Sequence, residues 1–63
     1  MKIQEIIEIV NAMNEKEYNE VVALLNDRDF DGDYIYTTTE VSEILGVKIE
    51  VVEYIDKIEQ EHS

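Results

Sequence analysis

The chain has 63 residues, of which 16 are acidic and 5 basic, giving a net charge of −11 at pH 7. A chain of this length forms one domain and buries only about 60% of the surface that its unfolded form exposes. It contains no cysteine, which excludes disulfides and thiolate metal sites, so packing, capping or a partner must stabilise it. No apolar run approaches the roughly 18 residues of a membrane span, and the N-terminal segment lacks a signal-peptide cleavage site. We therefore expect a cytoplasmic protein that does not bind membranes.

The acidic residues are spread along the whole chain. Residues 1–34 carry 3 basic and 9 acidic residues, and residues 35–63 carry 2 and 7, so neither half is a basic module. Affinity for nucleic acid comes largely from lysine and arginine that neutralise phosphates. The charge pattern therefore favours either a solvated surface or a surface for basic partners over a nucleic-acid surface.

An amphipathic helix is predicted over residues 2–13. Its apolar side chains recur at the spacing of one helical face, and they are Ile3, Ile6, Ile7, Val10 and Met13. Ile9 lies off this face. An apolar residue outside the core face suggests a second contact, such as a homodimer interface.

A second helix is predicted over residues 15–26. Asn14 and Glu17 have the spacing of a capping box at its start. Its apolar face consists of Tyr18, Val21, Val22 and Leu25, widened by Leu24. Because one or two residues connect these two helices, we expect them to form a tight antiparallel or angled pair.

An acidic loop is predicted over residues 27–36, because aspartate and glycine favour turns. Four acidic side chains around this loop have the spacing of EF-hand positions 1, 3, 5 and 12, and they are Asp29, Asp31, Asp33 and Glu40. This pattern makes calcium a candidate ligand of the loop.

Neither register of that loop completes the calcium motif. Counted from Asp29, the sixth position is Tyr34 rather than the required glycine. Counted from Asp27, Gly32 is in place but the twelfth position is Thr38. The alternative is a hydrated polar loop whose aspartates cap helix ends.

Two further helices, over residues 38–45 and 49–61, are predicted around a glycine turn. Thr37 and Glu40 form a capping box before the first, and Gly46 is its left-handed stop. Ser42, four residues before Gly46, is the small residue that lets two helices cross closely. The residues expected to face the core are Val41, Ile44, Leu45, Val52, Ile55 and Ile58, with Val51 at the edge.

The stretch from residue 36 to residue 58 resembles the helix-turn-helix of MerR and excisionase-like DNA-binding proteins. The matching residues are Tyr36, Thr37, Glu40, Val41, Leu45, Gly46, Val47 and Tyr54. The resemblance implies a DNA-reading helix whose outward residues are Lys48, Ile49, Glu50, Val51, Glu53, Tyr54 and Lys57.

This stretch departs from the family pattern in its charge. Lys48 stands where the family usually has a capping serine or threonine, and Glu53 stands where it usually has arginine. Exposed apolar residues rimmed by acids are typical of a protein-contact surface. The same outward residues are therefore the candidate contacts for a protein partner.

No nucleophile and base are paired in the sequence, since His62 and Ser63 lie at the chain end. We therefore expect no enzyme and no cofactor other than calcium. The hypothesis is an all-α, four-helix regulatory protein, such as a phage-type inhibitor or antirepressor of a nucleic-acid-binding protein. The alternatives are a dimeric DNA-binding regulator and a calcium-binding helix-loop-helix.

Overall fold

A computed structural model describes residues 1–62, and within this range the chain forms four helices and no sheet. They are α1 (Ile3–Ala12), α2 (Glu15–Asn26), α3 (Thr38–Leu45) and α4 (Ile49–Glu61). The predicted all-α fold class is confirmed. None of these helices has the length and apolar character needed to cross a membrane.

Helix α4 is the centre of the fold, because α1, α2 and α3 each pack against it. Helix α2 also contacts α3. Only Met13 and Asn14 separate α1 from α2, yet α1 makes its main contacts with α4. The short connection therefore does not produce the tight α1–α2 packing that was expected, since α4 offers the apolar surface on which both helices are buried.

The core is a cluster of buried side chains from three helices. Its members are Val21, Leu25, Val41, Val51, Val52 and Ile55. Three of these six come from α4, which is consistent with a helix that must contact three neighbours. Full burial of one such side chain contributes about 1.5–3 kcal/mol.

Four residues lie on the opposite side from the one predicted, namely Val51, Ile44, Ile9 and Ile3. Val51, expected to be outward, is fully buried, while Ile44, expected in the core, is 55% exposed. Val51 is buried because α4 is covered by helices over more than one stripe of its surface. Ile9 packs against the core, which removes the reason for assigning it to a homodimer contact.

The capping box predicted at Thr37 and Glu40 is confirmed, and at Asn14 the predicted cap forms without the return bond from Glu17 to the Asn14 backbone. Asn14 accepts a hydrogen bond of 2.8 Å from the N–H of Glu17 and donates one of 2.7 Å to its carboxylate. Thr37 and Glu40 exchange two hydrogen bonds of 3.2 Å. These bonds satisfy N–H groups at the starts of α2 and α3 that have no partner within the helix.

Candidate functional site

The turn between α3 and α4 fixes where the outward residues of α4 lie. Gly46 ends α3 with a φ of +68°, and its N–H donates to the Ser42 carbonyl at 2.9 Å. The Ser42 hydroxyl donates to the Val47 carbonyl at 2.5 Å. Lys48 is the N-cap of α4 and makes no side-chain capping bond, as expected from its departure from the serine or threonine pattern.

A groove runs between α1 and α4. It has a volume of about 380 Å³ and is lined by Ile3, Ile6, Glu50, Glu53, Tyr54 and Lys57. We call it the α1–α4 groove. Ile6 is buried and Ile3 is 59% exposed, so an apolar strip of α1 lies beside two carboxylates and one ammonium group of α4.

The groove brings together four of the seven outward residues that the sequence predicted, namely Glu50, Glu53, Tyr54 and Lys57. Lys48 is exposed and Ile49 is half-buried at the start of α4, and neither lines the groove. Val51 is buried and cannot contact a partner, so its place in the predicted surface was wrong.

Helix α1 supplies two groove residues that were not predicted from sequence to contact a partner. Ile3 and Ile6 were assigned to the core face because they fit one helical stripe. That stripe is longer than the part of α1 that the core covers, so Ile3 remains accessible. The only sequence signal was its position in the first turn of α1.

Tyr18 links α2 to α4 beside this surface. Its hydroxyl donates a hydrogen bond of 2.8 Å to the Glu59 carboxylate. Burial, together with this hydrogen bond and the Glu59 charge, raises the pKa of Tyr18 from 10.0 to about 12. The hydroxyl therefore stays protonated to higher pH than an ordinary tyrosine, and the bond orients α2 against α4.

Two of the four acidic residues predicted to bind calcium, Asp29 and Glu40, have carboxylates that accept local backbone hydrogen bonds. The Asp29 carboxylate accepts hydrogen bonds of 2.9 and 3.0 Å from the N–H groups of Asp31 and Asp33. The Glu40 carboxylate caps α3 at Thr37. In residues 1–62, no three His, Cys, Asp or Glu side chains are grouped so that they could hold a metal ion.

The acidic loop is a small hairpin rather than an irregular connection. Arg28 and Tyr34 form an antiparallel bridge, and the Asp29 N–H donates to the Asp33 carbonyl at 2.8 Å. Gly32 adopts a φ of +86°, and its N–H donates to the Asp29 carbonyl at 3.0 Å to close the turn. Tyr36, at the end of the loop, is partly buried against the core.

The chain matches no model of a known protein family, no curated protein and no solved structure. The resemblance of residues 36–58 to a DNA-binding helix-turn-helix therefore stays a prediction from sequence.

Proposed function

We propose that this chain is a small acidic regulatory protein that binds a basic surface of a protein partner through the α1–α4 groove. The observation that carries the proposal is the composition of the groove. Its accessible apolar part, Ile3 and Tyr54, lies beside the carboxylates of Glu50 and Glu53. An apolar centre with a charged rim is the usual anatomy of a protein interface.

The charge of the chain supports a basic partner. At a net charge of −11, the chain repels anionic surfaces and attracts cationic ones, which raises the rate of association with a basic protein. Proteins that bind nucleic acid carry such basic surfaces. An inhibitor or antirepressor that occupies that surface would compete with the nucleic acid for it.

Several features of α3 and α4 support a scaffold role for the predicted helix-turn-helix. The capping box at Thr37, the Ser42–Val47 hydrogen bond and the left-handed Gly46 hold the two helices in one arrangement. A rigid scaffold lowers the entropic cost of binding, because the contact residues do not have to be ordered first. No catalytic activity is included in the proposal.

A pull-down with the immobilised full chain tests the proposal. Tyr54→Ala and the double variant Glu50→Gln/Glu53→Gln should each weaken capture of the partner by about tenfold or more, the size expected for central interface contacts. Glu20→Gln, an exposed acid of α2 outside the groove, is the matched control and should change capture by less than twofold. A partner that tolerates both groove changes would show that the wrong face was chosen.

The DNA-binding alternative depends on Lys48 and Lys57, the two exposed cations of this part of the chain. Glu50 and Glu53 lie on the same helix and would face the phosphates, at a cost in binding free energy. We therefore expect no retardation of duplex DNA in a gel shift at low salt. Retardation that is abolished by Lys48→Glu or Lys57→Glu would establish the DNA-binding regulator instead.

A further inference from the structure

The acidic loop carries a concentration of exposed apolar side chains. Among residues 1–62, six large hydrophobic side chains are exposed, and three of them lie in this loop, Phe30, Tyr34 and Ile35. Phe30 is 104% exposed, so the rest of the chain covers none of its ring. A ring left in water forgoes the favourable free energy of burial that an apolar pocket would supply.

The loop holds Phe30 in a defined place. The closing hydrogen bond from Gly32 to Asp29 leaves Phe30 in the tight turn at the tip of the hairpin. The Arg28 guanidinium lies 4.3 Å from the centre of the Tyr34 ring and donates to the Tyr34 hydroxyl at 2.7 Å. A side chain on an ordered turn loses less conformational entropy on binding than one on a flexible segment.

The charges around Phe30 indicate the chemistry of what it contacts. Asp29, Asp31 and Asp33 surround it in sequence, and the one cation of the loop, Arg28, is engaged by Tyr34. Phosphate-rich surfaces, whether nucleic acid or anionic membrane, are repelled by three carboxylates. A complementary surface has an apolar pocket for the ring and lysine or arginine at its rim.

We propose that Phe30 is an anchor that inserts into an apolar, basic-rimmed pocket on the protein partner, as a second contact apart from the α1–α4 groove. The inference rests on the proposed function in one respect, that the partner is a basic protein. Aromatic anchors of this kind carry much of the binding free energy of an interface when a pocket encloses them.

The first step of the test uses two variants of the full chain, each produced in its source cells. One variant carries a photo-crosslinking amino acid at position 30, and the other carries it at position 54. The same partner should be cross-linked from both positions. Cross-links from position 54 but none from position 30 would overturn this inference and leave the proposed function standing. Cross-links from neither position would overturn both.

The second step uses the partner that the cross-links identify, purified separately and not cross-linked. It measures the affinity of this partner for the chain. Phe30→Ala should weaken binding by about 30-fold, as expected for a central aromatic contact, and Phe30→Trp should retain most of the affinity. The Phe30→Trp variant also provides a fluorescent reporter, because the natural chain contains no tryptophan. Its emission should shift to shorter wavelength on binding as the ring leaves water.

The matched control is Ile44→Ala, which shortens an exposed apolar residue on α3 and should alter the affinity by less than twofold. Phe30→Ala should leave thermal unfolding unchanged, because the ring contributes nothing to the core. Unchanged affinity of Phe30→Ala, or an equal loss with Ile44→Ala, would overturn the inference. Weaker binding of Phe30→Ala, with normal binding of Tyr54→Ala and Glu50→Gln/Glu53→Gln, would support the inference. The same result would contradict the proposed role of the α1–α4 groove.

Discussion

The hydroxyl of Ser42 donates a hydrogen bond to the carbonyl of Val47 across the turn that joins α3 to α4. This bond spans Gly46, whose left-handed backbone reverses the chain. Ser42 is the small residue expected where the two helices approach, and in the structure it also satisfies a carbonyl that no helix uses. The turn therefore depends on a polar contact as well as on the size of the residue.

Replacing Ser42 with alanine keeps the small side chain and removes only this bond. We expect the free energy of unfolding to fall by about 1–2 kcal/mol, because a half-buried carbonyl loses its partner. Urea unfolding followed by circular dichroism measures the change. Thr39→Ala, an exposed position in the same helix, is the control and should alter stability by less than about 0.5 kcal/mol. An equal effect at both positions would contradict the role of the bond.

The contact between Tyr18 and Glu59 predicts a loss of stability in alkali. Burial and the Glu59 carboxylate raise the pKa of Tyr18 to about 12, from 10.0 in the unfolded chain. Below pH 10 both states hold the proton, and the stabilisation is complete. Between pH 10 and 12 the unfolded chain releases it first, so the free energy of unfolding falls as pH rises.

Urea unfolding of the wild type and of Tyr18→Phe, below and above pH 10, isolates this effect. The wild type should lose more stability with rising pH than the variant, which lacks the hydroxyl. Thr39→Ala, which alters an exposed side chain with no titratable group, should retain the wild-type pH dependence. Parallel curves for wild type and Tyr18→Phe would contradict the raised pKa.

Val51 and Ile44 form a pair of variants that tests the burial pattern. Val51→Ala should lower the free energy of unfolding by about 2 kcal/mol, since it removes two methyl groups from a fully buried site. Ile44→Ala removes more atoms from an exposed site and should change stability by less than about 0.5 kcal/mol. Thermal and urea unfolding provide the values. A larger loss of stability in Ile44→Ala than in Val51→Ala would indicate the arrangement predicted from sequence, with Ile44 in the core and Val51 outward.

Isothermal titration calorimetry with calcium tests the acidic loop. We expect no heat of binding at millimolar calcium, because Asp29 already accepts two backbone N–H groups and Glu40 caps α3. Heat that disappears with Asp31→Asn, but not with the control Asp56→Asn on α4, would show that the loop binds calcium. In that case the hairpin would have to rearrange so that its carboxylates converge.

Interactions between close neighbours in sequence were predictable. The capping pair Thr37 and Glu40, and the left-handed Gly46, follow from residue types at fixed short spacings, whatever the rest of the chain does. The side of α4 that is buried was not predictable in the same way. Val51 is covered because three helices pack on α4, and periodicity within one helix does not report how many neighbours surround it.

The candidate site likewise has a part that was predictable from sequence and a part that depends on tertiary packing. The acidic and apolar residues of α4 could be chosen from sequence as outward. Their neighbours Ile3 and Ile6 could not, because residues 13–48 separate α1 from α4 in the sequence. The loop was correctly predicted as acidic and turn-forming. Its hairpin, which leaves Phe30 at the tip, depends on the Arg28–Tyr34 pair, which no turn propensity specifies.

The amino-acid sequence by itself determined four helices, their caps, the glycine turn and an acidic surface, because these depend on local hydrogen bonds, helical periodicity and total charge. Only the tertiary structure decided that α4 is central, that Val51 is buried, and that Ile3 lies beside Tyr54 in a groove. Those outcomes depend on which apolar faces meet, and burial is a property of the assembled chain rather than of any one segment.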